Sequence, residues 1–410
     1  MRHRIDYRAI PAWTTGWLGM IGVLAVFVAA AGLSVLYMEH QGHWVTGMTN
    51  QIVWGMPHVF AIFLIVAASG ALNVASIGSV FGRETYQPLG RLSALMAMAL
   101  LAGGLGVLVL DLGRPDRLIV AITHFNFKSI FAWNVILYSG FFVVVGFYLW
   151  AMIDWRMQRA YKTAAITAFL WRLILTTGTG SIFGFLAARD AYHSAVMAPL
   201  FIAMSFAFGL ALFNLFVMGA NAALKRPLAL KLIRHKGRLL GLFCAANLYF
   251  VAVQHLSALY MAERGAIEAF ILLHGGIYTF LFWGGQVGLG GLVPMILVFT
   301  ANATRCRVRA ASLLVVLGGL VQVYVILIGG QAFPLSLFPG MEVSSSFMDG
   351  QINAYTPTLP EILLGLGGFA LALIITIVGA SAFNILPASL GDNDDATAEV
   401  LQAETDPLAA

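Results

Sequence analysis

The chain has 410 residues, 60% of them hydrophobic and 10% charged, with a mean hydropathy of +0.87. A water-soluble domain carries about 25% charged residues, so this composition excludes a soluble globular protein. The net charge of +5 fits the loops of a membrane protein and calls for no nucleic-acid partner. The two cysteines, Cys244 and Cys306, form no CxxC pair, which argues against an iron–sulfur cluster or structural zinc held by this chain alone.

A helix that crosses the hydrocarbon layer needs about 20 mainly apolar residues. Ten such stretches follow one another, at residues 14–38, 51–81, 90–111, 129–153, 163–187, 195–220, 239–262, 268–300, 311–332 and 360–386. The first is read as a permanent helix, because nine more follow and no small-residue cleavage site stands out. No gap is long enough for a soluble domain, so residues 1–390 are expected to form a single transmembrane domain. Residues 391–410 carry Asp392, Asp394, Asp395, Glu399, Glu404 and Asp406 and read as a disordered acidic tail. The fold class is therefore an all-α polytopic membrane protein with ten transmembrane helices.

Charge sets the expected orientation. With both ends inside, 17 of the 23 Lys and Arg residues fall in the inner segments. Five, Arg114, Arg117, Lys128, Arg189 and Arg264, fall outside, and Arg172 lies within the fifth span. One missed helix would scramble that alternation, so the positive-inside rule predicts cytoplasmic termini.

Ionisable groups within the hydrocarbon layer are costly and mark candidate sites. His58 is expected about two turns into the second span, with Trp54 four residues earlier on the same face. Asp111 ends the third span, and the run Asp111-Leu-Gly-Arg-Pro-Asp-Arg117 reads as a rigid outer turn, with Gly113 at the stop and Pro115 barring continuation. His255 lies in the outer part of the seventh span, His274 in that of the eighth, and Glu361 opens the tenth. Each also has a bland reading as a hydrogen-bonded packing residue or an interfacial cap. Arg172 lies deeper, roughly 14 Å from the inner end of its span at 1.5 Å per residue, where it snorkels, pairs with an acid or takes part in proton movement.

These residues resemble the polysulfide reductase membrane-subunit (NrfD/PsrC) family. The Asp-Leu-Gly-Arg-Pro turn matches that family's Asp-Leu-Gly-x-Pro signature, and Ser129-x-x-x-Trp133 its following helix opening. Thr177-Gly178 through Pro199-Leu200-Phe201 resembles its fifth and sixth helices. Phe282-Trp283 through Gly288-Leu289-Gly290 and Pro294 is similar to the eighth helix of the ten-helix branch, and Tyr355-x-Pro357-x-x-x-Glu361 to the entry of its tenth. Length and helix count look most like the DsrP-type members of that branch, which serve sulfur metabolism.

The resemblance implies two four-helix bundles, helices 2–5 and 6–9, flanked by helices 1 and 10. It implies a quinone (menaquinone or ubiquinone) in the first bundle near the outer surface, with no metal or haem in this chain. A periplasmic ferredoxin-like iron–sulfur subunit would dock there, with cytochrome c and haem b subunits as further partners. His58 matches the histidine of the family's Asn-x-x-x-His quinone contact, while Trp54 stands in place of the asparagine. Trp54, Tyr138 and His255 are the other candidate quinone residues, and Asp111, Arg172 and Glu361 the candidates for proton transfer. Gln286 stands where some ten-helix relatives carry an acid. The rival readings are a secondary transporter with Gly-interrupted helices, and a b-type cytochrome with one haem between His58 and His255.

Overall fold

The computed structural model describes residues 6–300, 303–335 and 350–390; the acidic tail and most of the segment 333–358 lie outside them. Among the described residues, ten helical spans are long and apolar enough to cross a membrane. They begin with α1 (Thr15–Gln41), α2 (Met56–Ser79) and α3 (Gly90–Leu110). After the short α4 (Leu118–Thr123) come α5 (Ile130–Ile153), α6 (Gln158–Gly184), α7 (Met197–Ala223) and α8 (Leu230–Tyr260). The eighth span is built in pieces, α9 (Gly265–Ala269), α10 (Ile277–Phe280) and α11 (Val293–Phe299). The ninth is α12 (Arg305–Tyr324) with α13 (Gly330–Ala332), and the tenth is α14 (Leu359–Ala382).

The expected single helix over 268–300 is therefore broken. Gly276 adopts φ +58, a conformation open mainly to glycine, and the stretches Phe270–His274 and Leu281–Leu292 are wound as wide π-turns. His274 sits at this break and is exposed.

Helices α2, α3, α5 and α6 form the first bundle, and α7, α8, the α9–α11 span and α12 form the second. α14 lies against α1, α2 and α3, so the first and tenth spans flank the first bundle together. The bundles join through α2 and α7, whose backbones meet at Gly70 and Gly209. A side-chain carbon on Gly70 would strike the Ser205 carbonyl, and one on Gly209 the backbone of Gly70 and Ala71. Small residues at a helix crossing give the close approach that membrane bundles rely on.

Both ends of the described chain meet on one face. β1 (Tyr7–Arg8) pairs antiparallel with β2 (Leu386–Pro387), and Leu390 bridges to Leu228 in the α7–α8 connection. This is called the proximal face below, and the opposite one the distal face.

Candidate functional site

α2 starts later than the hydrophobic pattern suggests. Pro57 occupies the first turn, where its missing N–H costs nothing, and Gly55 is the N-cap. His58 consequently sits in the first turn of α2, and Trp54 lies in the non-helical lead-in. The two rings still stack, with centroids 6.3 Å apart and planes at 28°. Phe131 from the start of α5 and Phe183 from the end of α6 close around the indole, at 6.2 and 5.9 Å.

His58 faces the acid that ends α3. Its Nδ1 lies 2.8 Å from Asp111 Oδ2, with the carboxylate fully shielded and the imidazole 14% exposed. The contact is close but misaligned for a hydrogen bond, and neither Asp111 oxygen has a hydrogen-bond donor among the described residues. A buried carboxylate short of donors is expensive, which singles this pair out as the candidate site. Asp111 is held in place as the C-cap of α3. Beyond it Gly113 takes φ +68, and a side-chain carbon there would press on the His43 ring. Arg114 and Asp116 form a two-pronged ion pair at 3.0 Å in water, away from the buried pair.

The lead-in 51–54 is positioned by residues that sequence reasoning did not single out. Gln331, wholly buried in α13, accepts from the Val53 and Trp54 amides through Oε1 and donates from Nε2 to the Trp54 carbonyl. Gln51 donates to the Gln331 and Ala332 carbonyls, and Asn353 donates to Gln51. Arg189 bonds the Gln331 and Gln51 carbonyls; burial lowers its pKa from the ordinary arginine value, with Tyr192 acting against that. None of these is a charged residue in a helix centre, so the signal that found His58 was silent for them.

Glu361 belongs to the same scaffold. It forms a capping box with Thr358 at the head of α14, and also accepts from the Gly47 amide and the Tyr355 hydroxyl. Tyr355 in turn accepts from the Met56 amide at the head of α2. Burial first, and then the Glu361 charge, raise the Tyr355 phenol above its ordinary pKa, so it stays a donor. The four bonds to Glu361 use its oxygens to brace the turn beneath His58.

The remaining candidates lie apart from this cluster. Tyr138, buried in α5, meets the Thr179 hydroxyl of α6 at 3.3 Å, deeper in the first bundle. Arg172 is wholly buried between the Phe169 and Phe206 rings. It donates to Asn73 at 3.0 Å and has no carboxylate within ion-pair distance among the described residues. His255 lies in the second bundle, where Nδ1 is 2.6 Å from Glu268 Oε2. The structure thus brings His58, Trp54 and Asp111 together and leaves Tyr138, Arg172, Glu361 and His255 outside direct contact. Among the described residues no group of three or more His, Cys, Asp or Glu is arranged to hold a metal ion.

Residues 44–335 match the family model described as polysulphide reductase, NrfD. The Hdr-like menaquinol oxidoreductase integral membrane subunit of Archaeoglobus fulgidus is 29% identical over 93% of this chain and 97% of its own length. The selenate reductase C subunit of Mesobacillus selenatarsenatis is 25% identical over 87% of this chain and 93% of its own. The polysulfide reductase C polypeptide of Wolinella succinogenes is 25% identical, over 60% of this chain and 83% of its own.

Proposed function

The chain belongs to the NrfD polysulphide reductase family of membrane subunits, and from that premise we propose that it is the quinone-reactive subunit of a multi-subunit oxidoreductase. It exchanges electrons between the membrane quinone pool and a ferredoxin-like iron–sulfur subunit docked on its distal face. In this reading the distal face is periplasmic, both termini are cytoplasmic, and cytochrome c and haem b subunits complete the assembly. Near end-to-end coverage of the Archaeoglobus relative supports a place in the longer, DsrP-like branch. That relative's name favours menaquinone over ubiquinone.

The observation that carries the reading is the buried His58–Asp111 pair, short of hydrogen bonds and roofed by Trp54. A quinone, when bound, supplies a couple of two electrons and two protons. With Nδ1 turned to Asp111, His58 has Nε2 left for a ligand oxygen. It accepts a proton there during quinol oxidation, or donates one during quinone reduction, as an imidazole nitrogen can. Asp111 stabilises the imidazolium and fixes which ring nitrogen works. Trp54, Phe131 and Phe183 offer an apolar wall to a flat ring and exclude water. Tyr138 lines the deeper approach. Arg172 and Glu361 have scaffold roles in this reading.

The test is quinol-dependent reduction of the iron–sulfur centres in the purified complex. His58→Ala is expected to slow it about 100-fold, the scale of a lost general acid–base group, with Asp111→Asn close behind. Unchanged kinetics in His58→Ala would remove His58 from the site.

A further inference from the structure

The second bundle holds another histidine–carboxylate pair, which the quinone site does not use. His255 lies five residues from the distal end of α8 and Glu268 in α9 at the distal mouth of the eighth span. Their ion-pair contact is 2.6 Å, with the Glu268 side chain 7% and the His255 ring 21% exposed. The imidazole is wedged edge-on against Phe282, with centroids 4.8 Å apart.

Both residues line a cavity of about 40 Å³, together with Gln254, Gln286, Val251 and Ile271. Gln286 is 5% exposed, and its Oε1 has no hydrogen-bond donor among the described residues. Gln254 Oε1 is taken by the Ser194 hydroxyl, so Gln286 Oε1 is the unpartnered acceptor on the wall. A water needs roughly 10–15 Å³ of such space and two to four polar partners. The cavity therefore suits about three waters, and it is far below the several hundred cubic ångströms that a ring-sized ligand fills.

Other charged and titratable groups on the surrounding elements are turned elsewhere. Arg264 donates to the His193 carbonyl, Tyr192 to the Leu327 carbonyl, and Arg189 to Gln51 and Gln331. Tyr278 and Tyr324 stack on each other, and His274 is exposed at the helix break. Asp190, His193 and Glu263 flank the distal loops, and none of these residues lines the cavity.

We propose that this cavity is a proton-binding site, distinct from the quinone site, whose ligand is a proton carried on ordered water. The neutral imidazole and the carboxylate together hold one negative charge. Uptake of one proton from the distal water makes the pair neutral overall, and its release returns the proton through the partly exposed His255 edge. Water donating to Gln286 Oε1 completes the shell. Nothing is oxidised or reduced in this step.

The experiment is an infrared pH titration of the full chain in lipid nanodiscs. In wild type a carboxyl or imidazole signal should titrate that Glu268→Gln removes and Asp111→Asn leaves in place. His255→Asn is the second variant. It keeps a neutral hydrogen-bond donor beside Glu268 and should shift the midpoint by about one pH unit or more. In the complex, Glu268→Gln should keep quinol-dependent electron transfer within about twofold of wild type, whereas His58→Ala should not. A titration unchanged by both second-bundle variants overturns the proposal. So does a loss of electron transfer in Glu268→Gln as large as in His58→Ala, which would make the pair part of the quinone chemistry. Failure of His58→Ala alone would sink the quinone assignment and leave this site standing.

Discussion

Gln331 illustrates what one uncharged side chain can hold in place. Its amide makes four hydrogen bonds, three of them to the Val53–Trp54 backbone and one to the Leu327 carbonyl. Gln331→Ala removes the partner of the half-buried Val53 and Trp54 groups, at about 1–3 kcal/mol for each that stays shielded from water, while the Leu327 carbonyl keeps the Tyr192 hydroxyl. The expected result is a lower unfolding temperature and a raised KM for quinol, because Trp54 loses its seat. Thermal unfolding of the purified chain and steady-state kinetics of the complex check both; an unchanged KM would mean that Trp54 is held by ring packing alone. At this scale the sequence identifies His58 and Asp111 as candidates, since ionisable groups are rare and costly in a membrane. Gln331, Gln51 and Tyr355 escape that test. Neutral polar residues near helix ends are common, and their importance lies mainly in partners far along the chain.

At the scale of elements, the α2–α7 crossing joins the two bundles and leaves no room for a side chain. Gly209→Ala would drive a carbon into the Gly70–Ala71 backbone, which cannot swing aside as a side chain can. A loss of about 1–3 kcal/mol is expected from such overpacking. Gly219 lies on the same helix with open space around it, so Gly219→Ala should be neutral or gain up to about 1 kcal/mol from helix propensity. A loss at Gly209 with none at Gly219, read by thermal unfolding, is the signature of the crossing; equal effects would contradict it. The hydrophobic pattern predicts all ten spans to within a few residues at most ends. It misses the late start of α2, where Pro57 and the Gln331 clamp override an apolar run that begins earlier. It also misses the break at Gly275-Gly276, because an unbroken apolar stretch does not reveal how its turns are wound.

For the whole molecule, the paired ends and the two bundles define a proximal and a distal face, and the orientation proposed above, which rests on the distribution of Lys and Arg, puts the proximal one in the cytoplasm. Cys306 reports on this directly. It is free and exposed at the proximal start of α12, while Cys244 is free and buried. A membrane-impermeant maleimide should label Cys306 in inside-out vesicles and leave it unlabelled in intact cells; labelling from outside would invert the topology and move the candidate site to the cytoplasm. The sequence by itself determined the number of spans and their alternation, because each helix in lipid must satisfy its own backbone within one local apolar window. It also marked His58, Asp111 and His255 for attention, though not Glu268. Only the tertiary structure decided that His58 belongs with Asp111 and His255 with Glu268, in separate bundles. Those pairings depend on how each helix is rotated against its neighbours, and close packing between distant segments, which no local window contains, sets that rotation.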